Sequence, residues 1–245
     1  MNLKRRIDLE ILIVFSLSLG KSAVYSVLAI IEALTADVGV GGTTTTINRS
    51  QAAQEWLDFS YQLAGNLFRF APVALVLFLL GSKAWSRIGM VRENLGRQLW
   101  AGFALAAAIG IPGLALYLGA RATGLASKVV ATDVTAYWWI TPMLLLTAVG
   151  ASALEEGIMI GYLFTRLRER GMNDHKIIWL SAVIRGTYHL YQGFGGFVGN
   201  MVMGLVFGYI FKRTGKLVPL LFAHFLLDAV IFLGYAWAAN WLPLN

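Results

Sequence analysis

The chain has 245 residues, of which 58% are hydrophobic and only 13% charged. That balance excludes an ordinary soluble domain, which carries far more charge. The absence of cysteine excludes disulfides, thiolate metal sites and a cysteine nucleophile.

Runs of about 18 or more apolar residues are long enough to cross a bilayer as helices. In chain order the predicted spans are Leu9–Leu34, Trp56–Leu80, Leu99–Ala120, Tyr137–Leu167, Ile177–Tyr191, Gly195–Phe211 and Leu217–Trp241. The fold class expected is all-α, a polytopic transmembrane helical bundle of about seven spans, or eight. The chain reads as one integral membrane domain over residues 1–245. The start, Lys4-Arg5-Arg6 followed by a long apolar run, reads as an uncleaved first span, since no small-x-small cleavage site follows.

Charge placement orients the bundle. With the N-terminus inside, the inside segments hold Lys4, Arg5 and Arg6, then Lys83, Arg87, Arg92 and Arg97. They continue with Arg166, Arg168, Arg170 and Lys176, then Lys212, Arg213 and Lys216. The outside segments hold only Arg49, Arg121 and Lys128. This is the positive-inside pattern. The net charge of +7 therefore follows from topology and needs no nucleic-acid partner, while juxtamembrane cations favour anionic lipid. The expected location is a bacterial plasma membrane, with the N-terminus cytoplasmic and the C-terminus outside.

Between the spans, Val38–Gln54 is a Gly/Thr-rich outside loop and Ser82–Gln98 a cytoplasmic one. Lys21 and Arg69 lie at mid-membrane, where charge pairing inside the bundle is the expected role. Gly195-x-x-x-Gly199 and Gly204-x-x-x-Gly208 in the sixth span have the spacing that lets helices approach closely.

The fourth span carries adjacent acids, Glu155 and Glu156, with nothing charged between them and Asp133. Acids in lipid are expensive and call for partners. Counting from the helix ends, Glu155 and Glu156 lie about 17 Å deep and His189 about 18 Å. His224 and Asp228 lie about 10 and 16 Å deep. Three helices thus place ionisable groups in one layer. His224 and Asp228 are four apart and share a face, as do Arg185 and His189. Glu155 and Glu156 point about 100° apart, so one can face a site while the other braces it.

A carboxylate beside an imidazole can activate water as a general base. A second imidazole can stabilise an oxyanion. Glu155, His189 and His224 are equally a ligand set for zinc. Buried acids and histidines also suit an ion-coupled transporter. Spacing alone does not choose among these.

Over Tyr137 to Leu233 the chain resembles the CPBP family of intramembrane proteases, also called the Abi or CAAX-protease family. The family's motifs are Glu-Glu-x-x-x-Arg, Phe-x-x-x-His and His-x-x-x-Asn/Asp. They correspond here to Glu155–Ile160, Arg185–His189 and His224–Asp228. The resemblance implies a CPBP-like catalytic core over residues 137–233. It also implies an endopeptidase opening to the cytoplasm, acting on a peptide or membrane-protein substrate. Glu155 would be the base with His189, Glu156 its structural partner, and His224 with Asp228 would stabilise the tetrahedral intermediate. Both a metallo-type and a glutamate-type mechanism are implied for members of the family. The absence of His-Glu-x-x-His favours the second. Two departures stand out. The family's arginine is Ile160 here and its phenylalanine is Arg185. The expectation is that the guanidinium has moved to the neighbouring helix and still braces a glutamate. The alternative is a catalytically inactive membrane scaffold or immunity factor.

Overall fold

The computed structural model describes residues 2–131 and 137–238. The first predicted span is two helices, α1 (Leu3–Ser16) and α2 (Leu19–Thr35), bent by 60°. Ser16 and Ser18 turn their hydroxyls back onto the Leu12 and Val14 carbonyls, at 2.8 and 2.6 Å. Such bonds weaken the helical ladder and favour bending. The Gly/Thr-rich loop is ordered in part: β1 (Thr44–Ile47) follows a short turn of 3-10 helix.

The second span combines α3 (Glu55–Arg69) and α4 (Ala71–Leu80), interrupted at Phe70 where Pro72 starts the new helix. A short α5 (Ala84–Arg87) leads to α6 (Leu95–Ala122). Next, β2 (Lys128–Ala131) pairs in parallel with β1, Thr44 opposite Lys128, and the two strands form a small cap.

The span that carries the acid pair is the most buried of the long helices. It begins as α7 (Ile140–Glu156), passes through a π-helical segment, Gly157–Tyr162, and ends as α8 (Leu163–Glu169). The π segment starts immediately after Glu156. The Met159 carbonyl within it accepts the Ser181 hydroxyl at 3.1 Å. Isolated π-helical turns are frequent at functional sites. The chain continues as α9 (Asp174–Thr187), a 3-10 turn (Leu190–Gln192), α10 (Phe194–Thr214) and α11 (Val218–Ala238).

Four stretches are long and apolar enough to cross a membrane, Glu55–Leu80, Leu95–Ala122, Ile140–Glu169 and Phe194–Thr214. The bent α1–α2 pair makes a fifth. The expected seven spans therefore meet four or five full-length helices among the described residues. The difference lies in α9 and α11. The 14 residues of α9 rise only about 21 Å, short of a ~30 Å hydrocarbon core. The last helix is apolar over Val218–Gly234. The end of its predicted span at Trp241, and the C-terminus expected outside, lie beyond the described residues.

The core fills the cation-rich end of the bundle. Ile158, Ile160, Leu163 and Phe164 are fully buried against Ile177, Leu217 and Phe207. Around this core, ion pairs tie the helix ends together. Arg166 binds Glu10 at 2.6 Å and Glu169 at 2.9 Å, Arg170 pairs with Asp8, and Arg168 holds Asp174 at 2.8 Å. The small-residue stripe of α10 is a packing surface, as expected. A side chain at Gly204 would meet the Ala182 backbone of α9 at 2.9 Å, and one at Gly208 would meet Ile178 at 3.1 Å. These two glycines draw α9 against α10 and so fix where Arg185 lies.

Candidate active site

The acid pair divides its two members between two environments. Glu156 is fully buried and receives two donors on one oxygen. Arg185 Nη2 donates to its Oε1 at 2.5 Å, and His224 Nδ1 donates to the same atom at 2.6 Å. Arg185 is itself fully buried, with its guanidinium 5.6 Å from the Phe207 ring centre and its Cδ seated against Gly204. Burying a pair of this kind is costly unless its geometry is good, and breaking one member strands the other. The guanidinium that the motif places on the acid helix is thus supplied from α9. Position 160 is fully buried in the apolar core.

Glu155, about 100° around the helix, is half-buried. Its Oε2 accepts the Tyr188 hydroxyl at 2.8 Å. Tyr188 is in turn held by Ser26 of α2, whose hydroxyl donates to its carbonyl at 2.8 Å. His224, Arg185 and His189 all lie within Coulombic reach of Glu155.

The His224 ring stands between two carboxylates, with Nε2 3.6 Å from Asp228 Oδ2. The four-residue spacing read from the sequence produces this approach. His189 follows the end of α9 and packs its ring against Tyr188, centroids 4.8 Å apart. Its Nδ1 is buried and has no hydrogen-bond partner among the described residues. No direct hydrogen bond joins His189 to Glu155 among those residues.

The structure therefore brings Glu155, Glu156, Arg185, His224 and Asp228 into one cluster, with His189 at its margin. One contributor escaped the sequence reading. Tyr188 is a neutral aromatic in an apolar helix, and its one available signal is its place directly before His189. Arg69 was expected to serve in structural pairing. Its Nη1 donates to Asn66 Oδ1 at 3.0 Å and to the Thr147 carbonyl at 3.3 Å.

The zinc set read from the sequence does not fit. Among the described residues no three His, Asp, Glu or Cys side chains converge closely enough to hold a metal ion. His224 directs Nδ1 to Glu156 and not toward Glu155.

An apolar helical bundle with a buried layer of acids, imidazoles and a guanidinium describes a membrane-embedded protein with a polar site. Residues 137–230 are similar to the family model of type II CAAX prenyl endopeptidase Rce1-like proteins. The match supports a membrane-embedded protease at the level of class. No curated protein and no solved structure matches it.

Proposed function

We propose that the chain hydrolyses a peptide bond by water activated between Glu155 and His189. The observation that supports this most directly is the division of labour within the acid pair. Glu156 is saturated by Arg185 and His224, which leaves Glu155 half-exposed with one oxygen fixed by Tyr188. A carboxylate held on one oxygen keeps the other free to take a proton from water. His189, with an unpartnered ring nitrogen beside it, completes the base. His224, its ring oriented by Glu156 through Nδ1, then serves the tetrahedral intermediate through Nε2. Arg185 and Glu156 are positioning residues, because they act through Glu155 and His224.

In this reading α9 and α11 count with the longer helices as membrane-embedded segments, which restores about seven. The cation-rich end faces the cytoplasm. The substrate is a peptide or a membrane protein within the bilayer.

The test is hydrolysis of membrane-embedded peptides by the purified protein in lipid nanodiscs, read by mass spectrometry of the products. Glu155→Gln and His189→Ala are expected to lower kcat by at least a thousandfold with folding intact. Cleavage that survives both variants would remove the basis for the mechanism.

A further inference from the structure

A groove runs beside the cap, walled on one side by Ala29, Ile30, Glu32 and Ala33 of α2 and on the other by Thr43, Thr44 and Thr45. The three threonines are consecutive. Successive side chains of a strand point to opposite faces, so a groove that touches three in a row runs along the strand's edge. No residue of β2 lines it, which places it on the edge facing away from β2. The backbone direction agrees. Lys128 N–H donates to the Thr43 carbonyl at 2.9 Å, so Thr43 faces β2. By alternation the N–H and C=O of Thr44 point into the groove.

The groove leads to the catalytic cluster. Tyr191 lines it, with its ring 6.2 Å from the His189 ring. The α2 face that forms the wall continues one turn earlier to Ser26, which holds Tyr188 against Glu155. Resting on the protease reading above, we propose that the free edge of β1 receives an extended segment of the peptide substrate by strand addition and leads it to His189. A protease needs this conformation, because in a helix the scissile carbonyl is already hydrogen-bonded to the following turn. An unpaired strand edge supplies replacement partners for the backbone of a chain that has been unwound. Recognition of this kind reads the backbone first and tolerates many side chains. The substrate then approaches along the cap.

The test measures binding without turnover, using the Glu155→Gln variant in nanodiscs. The probe is a fluorescent octapeptide of alternating Val and Thr, compared with the same peptide N-methylated at alternate residues along one edge. Anisotropy should show binding of the parent and roughly tenfold weaker binding of the N-methylated form, the effect of losing one or two backbone hydrogen bonds. Thr44→Pro removes one edge N–H without touching the ladder to β2. Ala29→Trp fills the groove. Both should weaken the parent peptide by a similar factor, with thermal unfolding confirming the fold. Equal binding of the two peptides, or no binding of the parent, overturns the proposal, and the peptide comparison needs no groove variant. Binding as expected, without cleavage by the native protein, would leave strand addition standing and remove the protease reading instead.

Discussion

Arg185 and Glu156 form a fully buried ion pair that joins α9 to α7, directly behind the carboxylate proposed to activate water. The chain keeps the charge pair that its motif calls for, but the cation comes from a different helix. Removing Arg185 leaves Glu156 buried with only His224 beside it. Arg185→Phe is therefore expected to cost about 3–5 kcal/mol of stability and to abolish activity. The double variant Ile160→Arg/Arg185→Phe restores the motif's own arrangement and should recover part of both. Unfolding midpoints and turnover of the two proteins decide this. A double variant no better than Arg185→Phe alone would remove support for the exchange.

Tyr188 makes a different kind of contribution. Its hydroxyl fixes one oxygen of Glu155, and hydrogen bonds to charged groups are worth about 1.5–3 kcal/mol. Tyr188→Phe keeps the ring that packs on His189 and deletes only this bond. The expected result is a fall in kcat of about tenfold or more, with KM nearly unchanged. A change confined to KM would place Tyr188 in substrate binding.

The seat of Arg185 can be tested without altering a charge. A methyl group at Gly204 would press on Ala182 at 2.9 Å and on the Arg185 side chain at 3.3 Å. Gly204→Ala should destabilise by about 1–3 kcal/mol, as overpacking does. Activity should fall further than the folded fraction does, because the guanidinium is displaced. If activity simply tracks the folded fraction, Gly204 serves packing alone.

At the cation-rich end, the Arg168 hydrogen bond holds the Asp174 carboxyl below its ordinary value of 3.8. A group whose folded-state value is depressed stabilises the fold above its unfolded value, and that stability is lost as the pH falls through the folded one. The junction of α8 and α9 should thus loosen below about pH 4 and be indifferent between pH 6 and 8. Unfolding midpoints of the native protein and Asp174→Asn, measured from pH 3 to 7, should draw closer toward the acid end. A gap that stays constant over the whole range would contradict this origin.

Much of the site was legible because charge is rare in this chain. Glu155, Glu156, Arg185, His224 and Asp228 announced themselves against apolar helices, and helical spacing aligned His224 with Asp228. The pairing of Arg185 with a glutamate followed from the exchange of residue types between positions 160 and 185. Other features left no such mark. Tyr188 is uncharged, and its role depends on a contact with α7 that only the tertiary fold creates. The strand at Thr44–Ile47 lies in a run of glycine and threonine whose partner, Lys128–Ala131, is far away in sequence. The shortness of α9 was hidden because apolar residues continue past its end into the 3-10 turn.

The π-helical segment after Glu156 also fixes the phase of the whole span. Each residue of a helix turns the chain by about 100°, so one residue more or fewer re-aims everything beyond it. With Arg166 clamped to Glu10 at one end of this segment and Glu156 clamped to Arg185 and His224 at the other, neither end can rotate to absorb a change. Deleting one residue between Gly157 and Tyr162 would leave every side chain of the polar cluster present and the core composition nearly intact. It would still set the acid pair and the helix-end ion pairs in competition for a single screw setting of the helix. The span is timed like a lock and its bolt, and length in this short stretch matters as much as chemistry.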